Sequence, residues 1–214
     1  MDTNNTHIKY YNSKGEEVPS VTTVIKIFGK DLTGWANWLG KQGIDVKRYV
    51  DDKAAFGTYI HSLAESYFNN QEVANNNSWL SDMDFQLYMS KFAFIKKSML
   101  DKGFKVYKCE LVMHGERCGG TADIIFYNET TNKYILLDFK TSKSVYETMF
   151  MQLGGYTDLL KETNNIDISA VGIILITKDI EDPSLFNLVS TKDNNKYREI
   201  FNKLLDIYYL LDTK

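Results

Sequence analysis

The sequence predicts an α/β protein in which a mixed central sheet is flanked by helices. Three features predict this class: three strand-like segments in succession, a helical segment after them, and a later apolar run typical of a strand covered on both faces. The predicted order is α-β-β-β-α-β, with extra N-terminal and C-terminal helices. We expect one domain over 1–214, with a helical and hairpin extension (1–50), a core (51–180) and a final strand and helix (181–214).

The N-terminal half predicts one hairpin followed by helices. Alternating residues around a Ser-Lys-Gly-Glu turn predict the hairpin at 7–18. At 19–28, β-branched residues compete with a helical interpretation. Helices are expected at 33–49, 53–68 and 82–100. Gly40 and Gly43 weaken the prediction for the first helix, and a polar stretch joins the other two.

The middle of the chain predicts the sheet. Three segments rich in β-formers are separated by turn residues, which predicts an antiparallel meander of strands at 104–113, 120–127 and 133–139. A strand at 169–177 is expected to return parallel to 133–139 through a helix, by a right-handed crossover. An edge strand at 186–190 and a last helix at 192–211 complete the prediction.

The helix of that crossover has a predicted start. Ser144 and Glu147 fit a capping box, in which the serine caps the helix and the glutamate reaches back to it. The helix is then expected to run to about Lys161.

The composition describes a folded chain without strong charge. Hydrophobic residues make up 43% of the chain, enough to bury a core, and aromatic residues make up 14%, which excludes a disordered protein. The net charge of -3 argues weakly against a protein that coats nucleic acid by charge alone. The stretch 91–108 is a local exception, because it holds six lysines and one acid, Asp101. It either meets a phosphate backbone or forms a solvated helix face and loop.

Neither a membrane segment nor a cysteine-based metal site is expected. The sequence has no apolar run of bilayer-spanning length and lacks the layout of a secretion signal, so we expect a cytoplasmic protein without membrane contact. Cys109 and Cys118 alone cannot form a structural zinc or iron–sulfur site, and free thiols are expected over a disulfide.

Charged residues interrupt two of the predicted strands. Asp138 and Lys140 are two positions apart on one strand and therefore point to the same side of the sheet. Asp123 interrupts the apolar run of the preceding strand, where a charge is costly unless it is paired or binds a metal. The hairpin brings the two aspartates together, and a divalent cation would relieve their repulsion. A buried ion pair with Lys140 is the alternative.

The helix at 53–68 adds a histidine to these charges. His61 and Glu65 are four positions apart and share a helical face beside the apolar stripe. A histidine in this position is either a core residue or a ligand that joins oxygen ligands around Mn²⁺ or Mg²⁺.

The later helix carries a second polar pair. Gln152 and Tyr156 are also four positions apart, and Gly154 and Gly155 lie between them. Two adjacent glycines inside a helix indicate a close approach by another part of the structure, either the sheet or the backbone of a ligand.

Five short motifs follow one another along the chain. They are G-T-x-x-H at 57–61, Glu110, G-T-A-D at 120–123, D-F-K-T at 138–141 and Q-x-x-x-Y at 152–156. Their order and spacing over about 20–180 resemble the RecB-like branch of the PD-(D/E)XK nucleases, and the segment with Trp35 and Trp38 is similar to phage members of that branch. The resemblance implies a restriction-endonuclease-like core.

The resemblance also implies a role for each matched residue. The metal ligands would be His61, Asp123, Asp138 and the backbone carbonyl of Phe139. The catalytic residues would be Asp123, Asp138, Glu110 at the edge of the site, and Lys140, which would orient or deprotonate the attacking water. The residues that contact DNA would be Gln152, Tyr156, Thr141 and Lys143. Glu65 is a further candidate without an assigned role.

The implied activity is hydrolysis of DNA in recombination or repair, by an exonuclease rather than an endonuclease. Mg²⁺ or Mn²⁺ would be the cofactor, one or two per site, and no iron–sulfur cluster is expected because the chain has only 2 cysteines. DNA would be the partner, with a single-strand-annealing or helicase protein, in a bacterial or phage-infected cell. The alternatives are a catalytically silent module of the same fold that binds DNA or protein, and a structural protein whose acids form buried ion pairs.

Overall fold

The structure is a computed structural model that describes residues 8–29, 32–76, 78–177, 187–191 and 193–211. The strands in these segments are β1 (Tyr10–Tyr11), β2 (Glu17–Val18), β3 (Lys105–His114), β4 (Gly119–Asn128), β5 (Lys133–Lys140), β6 (Ile168–Leu175) and β7 (Asn187–Thr191). The helices are α1 (Val21–Ile25), α2 (Thr33–Lys41), α3 (Val46–Phe68), α4 (Asp82–Leu100), α5 (Glu147–Asn164) and α6 (Asn194–Leu211), and a 3-10 turn, Lys26–Phe28, follows α1.

The sheet is mixed, as predicted. Within the described residues, β3 to β7 form one five-stranded sheet in chain order, and β1 and β2 pair as a separate hairpin. β3, β4 and β5 form an antiparallel meander, β5 and β6 pair in parallel across α5, and β7 is antiparallel to β6. The predicted mixed α/β class is therefore confirmed.

The predicted starts of the hairpin, the edge strand and the last helix, at His7, Phe186 and Lys192, lie outside the described residues.

Helices cover both faces of the sheet. One apolar core, which contains Ile125 and Leu160, lies between the sheet and α1, α5 and α6. The other lies between the sheet and α3 and α4, where the rings of Phe68, Phe92 and Phe139 have centroids 5.7 to 6.1 Å apart. Truncation of one such buried ring to alanine typically lowers the free energy of unfolding by about 3–5 kcal/mol. The packing of α3 and α4 on the sheet therefore contributes strongly to stability.

The helix expected at 33–49 is two helices. α2 ends at Lys41, and Gly43 adopts a left-handed φ of 72°, which a right-handed helix does not contain. The Asp45 side chain then accepts a hydrogen bond from the backbone N–H of Arg48 and caps α3, which begins well before the predicted residue 53. The ambiguous segment 19–28 is helical, with Ser20 as the cap of α1.

The capping box predicted at Ser144 and Glu147 is wrong. α5 begins at Glu147, and its N-cap is Tyr146, whose side chain forms no capping hydrogen bond. The Glu147 carboxylate is hydrogen-bonded instead to Tyr197 of α6, and this bond, together with burial, raises the pKa of that phenol to about 12. A tertiary contact with α6 thus replaces the predicted local cap.

The two glycines of α5 face another helix. A Cβ on Gly154 would lie 2.7 Å from the backbone of Tyr197, and a Cβ on Gly155 would lie 3.0 Å from the ring of Phe201. Both neighbours belong to α6, so the close approach inferred from the sequence is made by α6 and not by the sheet. The absence of two side chains lets the axes of α5 and α6 approach closely.

Other expectations concern single side chains. Lys91 does not contribute to an exposed basic face, because it is 1% exposed and donates a hydrogen bond to the backbone carbonyl of Thr177. Cys109 and Cys118 are free thiols, as expected. None of the described helices is long and apolar enough to cross a membrane.

Candidate metal centre

Three acids lie in a row across neighbouring strands. The ladder between β4 and β5 ends at the pair of Ile124 and Leu137, so Asp123 and Asp138 follow directly opposite each other. In the ladder between β3 and β4, the same register puts Glu110 opposite Asp123. Sheet pairing therefore brings one carboxylate from each of three strands to the same level of the sheet.

The strands twist at this row. Residues two apart on a strand normally face the same side, yet Cys109 packs in the core beneath α3 and α4, whereas Leu111 packs in the core beneath α5 and α6. Their partners on β4, Ile124 and Ala122, divide in the same way. Glu110 lies at the change with a left-handed φ of 46°, a conformation that costs a non-glycine residue about 1–2 kcal/mol.

Helix α3 adds an imidazole to the row. His61 Nδ1 lies 3.4 Å from Asp123 Oδ2 and 3.8 Å from Glu110 Oε1. The imidazole stands perpendicular to the ring of Phe139, with centroids 6.4 Å apart. The aromatic core beneath α3 therefore sets the position from which His61 reaches the two carboxylates.

The side chains of His61, Glu110 and Asp123 fit a divalent cation. Each offers one ligand atom, and these atoms all lie within 4.8 Å of one another. Two ligand atoms that each lie roughly 2.0–2.6 Å from one ion are at most about 5 Å apart. The three side chains would therefore need to move little to bind the same ion. Carboxylate oxygens dominate the group, which favours a hard divalent cation. Glu110 therefore lies in one group with His61, whereas the motif resemblance implied a position at the edge of the site.

Asp138 lies beside this group and forms a buried ion pair with Lys140. Its side chain is 1% exposed, and its Oδ2 is 2.6 Å from Lys140 Nζ. Among the described residues, Lys140 is the partner of this buried oxygen through the ion pair, and no neutral hydrogen-bond donor reaches it. A carboxylate oxygen has two lone pairs, so Oδ2 can bind a cation in addition to the Lys140 ammonium.

A hydrogen-bonded network from α5 supports Asp138 and Lys140. Lys140 Nζ donates to Gln152 Oε1 at 3.2 Å, and Gln152 Nε2 lies 3.2 Å from Asp138 Oδ1. The same Nε2 donates to the Tyr156 hydroxyl at 2.9 Å. Tyr156 is 4% exposed, so its ring serves to hold Gln152 and offers little surface to a ligand.

The charges of this site are unbalanced. Burial opposes the imidazolium, but the charges and hydrogen bonds of Asp123 and Glu110 outweigh it and raise the pKa of His61 to about 10. Burial, and then the charge of Asp123, raise the pKa of Asp138 to about 6, although Lys140 acts in the opposite direction. Three acids thus share two cationic side chains, and a bound cation would relieve the excess of negative charge.

The other predicted residues surround the group. The Phe139 backbone N–H donates to Asp123 Oδ2 at 2.8 Å, which orients that carboxylate. Glu65 is half-buried on α3 one turn after His61, and its charge raises the pKa of Glu110 after the larger effects of burial and Asp123. Thr141 and Lys143 follow β5 and line a neighbouring cleft.

Two glycines that the motif comparison left without a role shape the site. A Cβ on Gly120 would lie 2.5 Å from the Tyr156 ring, and a Cβ on Gly119 would lie 2.3 Å from the Tyr10 side chain. The Tyr10 hydroxyl in turn lies 3.0 Å from Thr121 Oγ1. The pair of glycines inside an apolar strand was the available signal, because glycine in a strand marks a close approach.

Comparisons with known proteins leave the family open. No protein-family model matches the chain, and no curated protein matches it. Among solved structures, it is similar to a phage-related exonuclease from Haemophilus somnus 129PT, with 14% identity, a TM-score of 0.42, and 88% of this chain and 90% of that chain covered. It is also similar to SSO0001, with 15% identity, a TM-score of 0.29, and 70% and 85% covered. Likenesses at this level of identity and TM-score do not assign an activity to this chain.

Proposed function

We propose that this chain is a metal-dependent nuclease that hydrolyses phosphodiester bonds in DNA, of the RecB-like PD-(D/E)XK type. One observation carries the proposal: the Lys140 ammonium lies 2.6 Å from Asp138 Oδ2, beside the group of His61, Glu110 and Asp123 that fits a cation. The motif resemblance requires this arrangement at these positions: a lysine at the end of a buried strand, next to acids that can hold a cation.

The donor set suits this chemistry. Hydrolysis of a phosphodiester needs a water nucleophile and relief of negative charge on the phosphate. When bound by His61, Glu110, Asp123 and Asp138, Mg²⁺ or Mn²⁺ would supply positive charge to the phosphate oxygens and lower the pKa of a water. The Oδ2 of Asp138 accepts no hydrogen bond from a neutral donor among the described residues, which supports its inclusion among the ligands. The Phe139 carbonyl stays a predicted ligand.

The chain's own residues have separate tasks in this proposal. Lys140 holds its ammonium at the rim of the site, with 22% of its side chain exposed, where it can donate to a phosphate oxygen or to water. Gln152 accepts a hydrogen bond from that ammonium, and Tyr156 accepts one from Gln152, so the charge is held in one orientation. Thr141 and Lys143 are the proposed DNA contacts beyond Lys140.

The alternatives explain less of the geometry. The ion pairs of a structural protein exist here, since Lys140 contacts Asp138 and His61 contacts Asp123. They leave three acids with two cationic side chains, an excess of buried negative charge that a purely structural network would not need. A catalytically silent module would be expected to lack at least one of the acids or Lys140, and all are present.

Exonuclease action and protein partners belong to the proposal as well. They follow from the motif resemblance, in which a single-strand-annealing or helicase protein would supply or use the processed DNA. We expect the purified protein to digest end-labelled linear DNA with Mn²⁺ or Mg²⁺ and to leave closed circular DNA intact.

Digestion of linear, circular and single-stranded substrates side by side tests this proposal. Release of short labelled products from DNA with free ends, single-stranded or duplex, while the closed circle stays intact, supports an exonuclease, and nicking of the circle would change the assignment to an endonuclease. An inactive wild-type protein under every metal condition would leave the catalytically silent module as the better account.

A further inference from the structure

A large cleft lies beside the candidate metal centre. Its volume is about 1030 Å³, at the upper limit of the roughly 300–1,000 Å³ typical of small-molecule sites. Its walls come from the 3-10 turn after α1, from α2 and the first half of α3, and from the loop between β5 and α5. The size and the open walls suit an extended ligand better than a compact one.

The cleft adjoins the candidate metal centre. Thr141, which lines the cleft, directly follows Lys140 on the chain. Gly57 lies one turn before His61 on α3, and a Cβ on it would be 3.6 Å from Thr141 Oγ1. The contact between α3 and the loop after β5 therefore lies one helical turn from His61 and one residue from Lys140.

Exposed aromatic rings line the cleft. Phe28 is 49% exposed, Trp35 and Tyr49 are each 37% exposed, and Tyr146 is 44% exposed. The rings of Trp35 and Tyr49 meet edge to face, with centroids 5.9 Å apart, so each limits the movement of the other. Exposed large aromatic side chains that cluster in one concave surface indicate a binding site.

The charge of the cleft is positive, in contrast to the chain as a whole. Lys26, Lys53 and Lys143 line it, and among its described lining residues none is acidic, whereas the net charge of the chain is -3. Lys53 Nζ lies 5.5 Å from the centroid of the Tyr49 ring. Lysines and stacking rings are thus interleaved within one surface.

We propose that this cleft binds a single strand of DNA and leads its end to the candidate metal centre, an inference that rests on the proposed function. Single strands bind by stacking their bases on aromatic side chains while lysines follow the phosphates. Duplex DNA cannot use such rings, because its bases already stack on each other. The substrate of the proposed reaction is therefore the single-stranded end and not the paired duplex.

Trp35 and Trp38 provide a matched test on one helix. Both belong to α2 and are exposed, Trp38 at 57%, but only Trp35 lines the cleft. The binding of a fluorescent oligothymidylate is measured by anisotropy in EDTA, where no turnover occurs. We expect Trp35→Ala to weaken binding roughly 5- to 150-fold, the range for loss of one base-stacking ring, and Trp35→Phe to restore most of it. Trp38→Ala should change the affinity less than twofold.

Three results would overturn the proposal. They are an equal loss in Trp35→Ala and Trp38→Ala, an equal loss for a blunt duplex of the same length, and unchanged single-strand binding in Trp35→Ala. Tighter binding of oligouridylate than of oligothymidylate would reassign the cleft to RNA. A change in oligomeric state of Trp35→Ala, with DNA binding unaffected, would reassign it to a protein interface.

The lysines give an independent measurement. The slope of log affinity against log salt is negative, and replacement of Lys26 or Lys53 by glutamine should make it less steep by about 0.7 each, as expected for one lost phosphate contact on a single strand. A slope that stays at the wild-type value in both variants would contradict phosphate binding in the cleft. Because all these measurements are made without metal, they succeed or fail independently of whether the protein cleaves DNA.

Discussion

Glu110 and Asp123 lie opposite each other on β3 and β4, at the level where both strands change the side on which their apolar residues pack. The left-handed backbone of Glu110 accompanies this change. Strained backbone tends to persist where the surrounding structure requires it, often at functional sites. Here it turns two carboxylates away from both cores and toward His61.

The backbone of Glu110 leads to a prediction about stability. In an ordinary strand glycine is less stable than alanine, but at a left-handed position the order reverses. We expect Glu110→Gly to unfold with a free energy about 1 kcal/mol higher than Glu110→Ala, measured by urea denaturation. Both variants should lose metal affinity to the same degree, since both lack the carboxylate. A less stable glycine variant would show that the twist at this row does not depend on the left-handed residue.

The contact between Asp138 and Lys140 allows structural and catalytic roles to be separated. Lys140→Met should reduce cleavage roughly 10²- to 10³-fold, as expected for loss of one electrostatic donor, and should lower the free energy of unfolding by about 1–3 kcal/mol, because Asp138 is left buried without its partner. The double variant Asp138→Asn, Lys140→Met should recover much of the stability and none of the activity. Full recovery of cleavage in the double variant would refute a catalytic role for the pair.

Gly154 tests the packing of α5 against α6. Gly154→Ala brings a methyl group to 2.7 Å from the backbone of Tyr197, which cannot rotate away as a side chain would. We expect it to lower the free energy of unfolding by about 1–3 kcal/mol. Gly40→Ala in α2 is the matched control, because no atom lies within 4 Å of its added Cβ, and it should be neutral or stabilising by about 0.5–1 kcal/mol. Equal effects in the two variants would contradict the close approach of α6.

Metal binding should be visible as thermal stabilisation. A ligand at 100 times its Kd adds about 2.7 kcal/mol to the stability of the native state, so the wild-type Tm should rise by several degrees in saturating Mn²⁺. His61→Ala should lose most of this rise. His114→Ala, which removes an exposed histidine outside the group, should keep it. Ca²⁺ should stabilise the protein with little turnover, because its coordination is looser. An equal Mn²⁺ response in the two histidine variants would exclude His61 as a ligand.

The sequence predicted the elements of the core because their apolar residues repeat at the period of the local structure. The alternation of residues in LLDFK correctly predicts that the side chains of Asp138 and Lys140 lie on the same side of the sheet. The short hairpin before this strand predicts that Asp123 lies near them. The twist at Glu110 was not predictable, because it depends on a left-handed residue that no local pattern marks. That twist is the reason Glu110 joins His61 and Asp123 in one group.

The errors of the sequence-based prediction have a common physical origin. The capping box at Ser144 failed because Glu147 is hydrogen-bonded to Tyr197, far along the chain. The role of Gly154 was misjudged for the same reason, since its neighbour is α6 and not the sheet. Local propensity identifies an element, whereas long-range packing decides what its side chains contact.

Asp123 and its neighbours are proposed to hold a cation that hydrolysis requires. The most direct test measures release of labelled nucleotides from linear DNA by wild-type protein and by Asp123→Asn, with Mn²⁺, with Mg²⁺ and with EDTA. We predict cleavage by the wild type in either metal, none in EDTA, and at least a 10²-fold loss in the variant with native circular dichroism. Cleavage in EDTA, or wild-type activity in Asp123→Asn, would contradict the proposed reaction.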